Sequence, residues 1–196
     1  MTHTAKMAFR FTGLALCGAS LLLGRGAALA AGSGPLITPL SAFTDGQTGK
    51  IVWIVPGVVK KSHMSTDFLC TNLDTVPIDI GVEAFDLDGT QLNKVDGSIS
   101  IPASTCPTGA VLNVPPGTTV TIGLTGTAQL HEDCKIEVTA IAQGSARIVS
   151  TSSKIGCDAI ALDDKHVVTD PALCSTCQPP PLTSLKLIKP KKQSGD

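Results

Sequence analysis

The chain has 196 residues and a formal net charge of −1, with 42% hydrophobic but only 3% aromatic residues. That length supports one ordinary domain with tails, and the near-neutral balance excludes the strongly basic surface of a polyanion binder. With no tyrosine and one tryptophan, the chain is poorly supplied with the flat rings that sugar and single-stranded nucleic acid sites stack on.

Lys6 and Arg10 open the chain without an acidic residue, residues 11–23 are largely apolar, and Ala28, Leu29 and Ala30 form a small-x-small pattern. This is the layout of a secretory signal peptide over residues 1–30, with cleavage expected between Ala30 and Ala31. The apolar run breaks at Gly24 and Arg25, short of the roughly 20 residues a membrane crossing needs. Beyond it the chain holds 12 basic and 16 acidic residues, and Lys186, Lys189, Lys191 and Lys192 crowd the last eleven positions. Residues 31–185 therefore carry 8 basic against 15 acidic side chains, and no nucleic acid partner is expected of them.

Residues 31–49, punctuated by Gly32, Gly34, Pro35, Pro39, Gly46 and Gly49, read as an extended leader. "KIVWIVPG" from Lys50 is a short apolar run that predicts a first strand buried on both sides and ended by Pro56 and Gly57. In "STDFLCTNLD", Phe68 and Cys70 fall on one face and Leu69, Thr71 and Leu73 on the other. Over residues 76–92, Ile78, Ile80, Val82 and Ala84 alternate with Asp79, Gly81 and Glu83. That pattern predicts a sandwich edge strand with one dry and one wet face. Phe85 and Leu87 then change parity, suggesting a bulge or a change of sheet, and Asp88–Gly89 predicts a tight hairpin turn.

Pro115, Pro116 and Gly117 mark a turn before the alternating Val120, Ile122 and Leu124. Ile136, Val138 and Ala140 predict another strand, Gln143 to Ser145 a turn, and residues 146–151 and 155–162 two further strands. Seven to nine short strands without a helical period predict an all-β domain over residues 50–170, a two-sheet antiparallel β-sandwich. The run Cys70-Thr71-Asn72-Leu73, then "PIDIGVEAFDLDGTQL", then "VPPGTTVTIGL", resembles the strand and turn pattern of immunoglobulin-like and fibronectin-type-III-like modules of bacterial exported proteins. The resemblance covers about residues 50–162 and implies an immunoglobulin-like architecture. It carries no catalytic residue with it, because fold alone does not fix function.

Six cysteines follow residue 30: Cys70, Cys106, Cys134, Cys157, Cys174 and Cys177. An even number in an exported chain argues for disulfides, though many connectivities are open. Cys70 and Cys157 each fall inside a strand, Cys106 and Cys134 lie in loops beside strand starts, and Cys174 and Cys177 form a CxxC. The economical set pairs them in that order. The CxxC has no second CxxC or HxxxH to complete a zinc site. It is followed by Gln178, Pro179, Pro180 and Pro181, where a redox pair would need a helix. A local bridge at the exit of the domain is the reading kept. Residues 171–196 are then the CxxC, a proline-rich spacer and a basic tail, a soluble end whose lysines offer the one expected route to an anionic membrane surface.

Asp163, Asp164 and His166 form a polar cluster that could contribute to a metal site, although a solvated loop is the simpler reading. The chain has no GxSxG, SxxK or HExxH motif. The expectation is an exported, disulfide-bonded, non-catalytic module, secreted or periplasmic, without a cofactor and with a protein partner at the cell envelope. Two alternatives stay open. One is a small periplasmic metal or ligand carrier built on Asp163, Asp164 and His166; the other is a hydrolase whose residues meet only in the fold.

Overall fold

The computed structural model describes residues 34–99, 105–124, 131–163 and 182–191. Among the described residues nine strands run in chain order: β1 (Lys50–Lys60), β2 (Met64–Asn72), β3 (Ile78–Phe85), β4 (Ala110–Val114), β5 (Thr119–Gly123), β6 (Cys134–Lys135), β7 (Ile141–Ser150), β8 (Ile155–Asp163) and β9 (Leu182–Leu185). No helix occurs among the described residues. One sheet has the order β1-β7-β3-β4 and the other β6-β5-β2-β8-β9; all pairs are antiparallel except β5 with β6. This is an all-β fold of two sheets, consistent with a β-sandwich.

One apolar core joins the two sheets. Ile78, Ile80, Val82 and Ala84 of β3 meet Phe68 and Cys70 of β2, Ile122 of β5 and Ile148 of β7 there. The alternation read from β3 thus points its apolar residues as expected. Its other face differs from expectation: every residue of β3 is buried, and the strand lies inside its sheet between β7 and β4 rather than at an edge. The covering layer is the leader. Phe43 packs with Val95 and Val149 into a second apolar cluster, flanked by Leu40, Ala110 and Leu112. Gly81 makes room for it, since a methyl there would stand 2.5 Å from Val95 and 3.2 Å from Phe43. Residues 34–49 are a second layer of the fold, and Phe85 keeps the regular parity of the covered face, with neither bulge nor sheet change.

Two further expectations shift. β1 runs through Pro56 and Gly57, absorbing them in register shifts, and sits at a sheet edge, where proline removes no needed ladder donor. Gln143 to Ser145 do not turn the chain but lie within β7, while Ile136 and Val138 are buried outside any strand. The hairpin turn at Asp88–Gly89 is present: Gly89 has φ 83°, Gly89 N–H donates to the Asp86 carbonyl at 3.0 Å, and Phe85 bridges Gln91. At the opposite end, Asp74 accepts from Ser152 Oγ at 2.6 Å and Lys154 Nζ at 3.1 Å. Those bonds, led by Ser152, hold its carboxyl down at about 2.

Cys70 is joined to Cys157 and Cys106 to Cys134. Cys70 and Cys157 are direct cross-strand partners in one sheet, unlike the bridge between sheets that marks antibody domains. Breaking the Cys70–Cys157 link is expected to cost roughly 2–5 kcal/mol, most of a small domain's margin. Urea unfolding of Cys157→Ser against the parent, both without reductant, measures it as a lowered midpoint.

Candidate functional site

Of the polar cluster singled out in the sequence, the structure describes Asp163 alone. Asp163 ends β8, and His131 is exposed, 3.5 Å from the Asp133 carboxylate. His63 lies in the turn between β1 and β2, where Ser62 takes a left-handed conformation at φ 57°. Asp164, His166, Cys174, Cys177, Ala30 and Ala31 lie outside the described residues. Among the described residues no group of three or more His, Cys, Asp or Glu is placed to hold a metal ion.

Three other places carry the chemistry of the described chain. The first is a cleft of about 580 Å³ at the end of the sandwich formed by the hairpin turn and the leader. Its floor is unusually bare, because Gly34, Gly57, Gly89 and Gly144 line it together with Pro35, Asp86, Leu87 and Asp88. Gly144 has no alternative, since a methyl there would collide with the Phe85 carbonyl. The Thr90 N–H bond to Asp88, 2.9 Å long, holds that carboxyl below its ordinary range. Leu87, which lines the cleft, is 71% exposed, and Leu36 and Ile37, next in the chain after the lining residues Gly34 and Pro35, are 58% and 61% exposed.

The second is a buried polar constellation under the leader. Glu83 and Arg147 are cross-strand partners on β3 and β7, both fully buried, with Arg147 Nε and Nη2 each 2.5 Å from Glu83 Oε2. Arg147 also donates to the carbonyls of Pro35 at 3.1 Å, Thr38 at 2.6 Å and Pro39 at 3.1 Å. Its guanidinium lies 5.3 Å from the Phe85 ring centroid. Glu83 Oε1 accepts from Val95 N–H at 3.1 Å. The pair is therefore a clamp: five guanidinium donors spread over one carboxylate and three leader carbonyls. Nearby, burial pushes the Asp79 carboxyl upward against the hydrogen bond it accepts from Asn113 N–H at 2.9 Å. Asn113 occupies a bulge in β4 with φ 54°.

The third is a pair of carboxyls on the outer face of the five-stranded sheet. Asp67, at the middle of β2 and opposite Gly123, is fully buried, and neither of its oxygens has a hydrogen-bond partner. The chain before β6 is pinned to β5 by bonds between Asp133 and Thr121, which brings Glu132 over Gly123. A methyl on Gly123 would overlap the Glu132 carboxyl and lie 2.9 Å from Asp67 Oδ1. Burial first, and the charge of Glu132 second, raise the Asp67 carboxyl to about 8.

Sequence reasoning passed over Asp67, Glu83 and Arg147 as sites. The available signals were an acid in mid-strand on a face shared with Leu69, and a single arginine in the otherwise uncharged strand of residues 141–150. Neither motif nor spacing marks them, because each becomes informative only when its cross-strand neighbour is known. No family model, no curated protein and no solved structure matches the chain.

Proposed function

We propose that the protein is an exported, disulfide-braced module with an immunoglobulin-like sandwich, working outside the cytoplasm at the bacterial envelope, where it binds another protein and catalyses nothing. The Cys70–Cys157 and Cys106–Cys134 disulfides in so ring-poor a chain suit an oxidising compartment. The observation that carries the binding role is the loop end formed by the leader turn and the β3 hairpin turn. There Leu87 stands exposed in a glycine-floored cleft also lined by Asp86 and Asp88, and the exposed Leu36 and Ile37 directly follow Gly34 and Pro35 of the same lining in the chain. Apolar side chains grouped beside a shallow depression, with charge around them, are the anatomy of a protein-binding patch. The open glycine backbone adds donors and acceptors that a partner's main chain can reach.

A photo-crosslinking residue at position 87, introduced in the cell of origin, is expected to yield one discrete adduct. The same residue at Leu73, also exposed (62%) but at the opposite end, is expected to yield none. Ile37→Asp is expected to weaken binding to the partner so identified by at least about tenfold, roughly 1.4 kcal/mol. Equal crosslinking at both positions, or none at 87, overturns the assignment.

A further inference from the structure

The connection between β8 and β9 is far longer than their pairing requires. Leu162 and Leu182 are partners in antiparallel register, a junction that two residues close in common hairpins. Here 18 residues, 164–181, separate Asp163 from Leu182. That length of chain can span up to roughly 60 Å, against about 40 Å for the diameter of a domain of this size. The last three residues before β9 are Pro179, Pro180 and Pro181, a sequence unsuited to a tight hairpin.

Residues 182–191, beyond that connection, occupy a seam between the sheets. β9 extends the five-stranded sheet beyond β8. Ile188 then pairs with Ile54 of β1, the edge of the other sheet, through bonds of 2.8 and 2.9 Å. Leu185 and Leu187 pack against the core, and Lys189 lies 5.1 Å from the Trp53 ring centroid. The basic tail expected to be a loose end is in fact a structural piece over residues 182–191. Its hold is slight, however: four residues of ladder and one isolated bridge, with Leu182 and Ile188 exposed. β2 pairs with β8 over nine residues by comparison. A segment held by so few contacts belongs to the low end of local stability, and its departure leaves two strand edges and an apolar seam uncovered.

We propose that residues 182–191 are an exchangeable strand and that the seam accepts the same segment from a second copy of the chain, giving a reciprocally swapped dimer. Every contact made within one chain is made identically between two. The difference is the entropy of the tether, which grows slowly with its length and corresponds to an effective concentration in the millimolar range. Exchange therefore rises with protein concentration, as at a crowded surface.

Ile160 and Ser184 are cross-strand partners in this pairing. Full-length Ile160→Cys and Ser184→Cys chains, mixed equally, unfolded in urea without reductant and refolded together near millimolar concentration, are expected to give an oxidised dimer of twice the monomer mass. Peptide mapping should locate its link between residues 160 and 184. The fraction of dimer should rise with protein concentration, and the double variant, closed within one chain at low concentration, should sediment as a monomer throughout. The unsubstituted chain supplies a readout independent of the new cysteines, with concentration-dependent dimer in sedimentation. A monomer at every concentration overturns the proposal, as does a dimer that survives intrachain closure or an oxidised, disulfide-linked dimer that forms equally from either single variant alone. A segment that instead serves a different protein would leave this chain monomeric, and so counts against it.

Discussion

Asp67→Asn is expected to raise the melting temperature at pH 8 and to flatten the dependence of stability on pH. The unfolded chain ionises this carboxyl near 4, whereas the folded one keeps its proton until about 8. Below pH 4 both states are protonated and ionisation contributes nothing to the balance. Between about 4 and 8 the unfolded state alone is ionised, so folding loses about 1.4 kcal/mol per pH unit. Above 8 both states are ionised and the full cost persists. By pH 7 this amounts to about 4 kcal/mol at most, offset in the asparagine variant by the cost of a buried amide, about 1–3 kcal/mol. A net gain of about 2 kcal/mol translates into roughly 4–8 °C. Thermal melts of both proteins from pH 4 to 9 decide the matter; parallel curves would show that Asp67 titrates as it does in the unfolded chain.

Arg147→Met is expected to be among the most destabilising single changes available to the chain, at roughly 3–5 kcal/mol, because it strands the buried carboxylate of Glu83. It also removes the donors to Pro35, Thr38 and Pro39, so limited proteolysis should cut within residues 34–48 in the variant and not in the parent. Glu83→Gln combined with Arg147→Met should recover part of the loss, since no unpaired charge then remains. Urea unfolding of the two single variants and the double gives the coupling directly. A double variant no more stable than Arg147→Met would place the cost in the leader contacts rather than in the ion pair.

The strands of this protein are largely legible in its sequence, and their surroundings are not. Alternation at Ile78, Ile80, Val82 and Ala84 identifies the face that joins the main core, because burial imposes period two on a strand. The same alternation is silent about what lies across the other face. Asp79 and Glu83 look solvated because an isolated acid belongs in water, yet Arg147 and the N–H groups of Val95 and Asn113 satisfy much of what burial removes. Gly81 was the one visible hint, a side chain withheld where Phe43 must approach. Lys186 and Lys189 made the end of the chain read as a solvated tail. Lysines keep their ammonium groups in water whether or not the backbone that carries them is docked, so charge could not distinguish the two. The Asp67 site escaped for a related reason: Glu132 reaches it from 65 positions away, brought there by the parallel pairing of β6 with β5, and no short window of sequence contains both.

The Cys70–Cys157 link has a mechanical consequence. Tension applied to residues on either side of it travels from Cys70 through the sulfur atoms to Cys157 and bypasses everything between. β3 through β7, together with the second disulfide nested among them, carry no load along the chain and cannot be drawn out by it. Only the flanking stretches, including the leader under Arg147 and the strand at the seam, are free to pay out, so a pulled molecule yields a short extension at each side and then stops at a covalent limit.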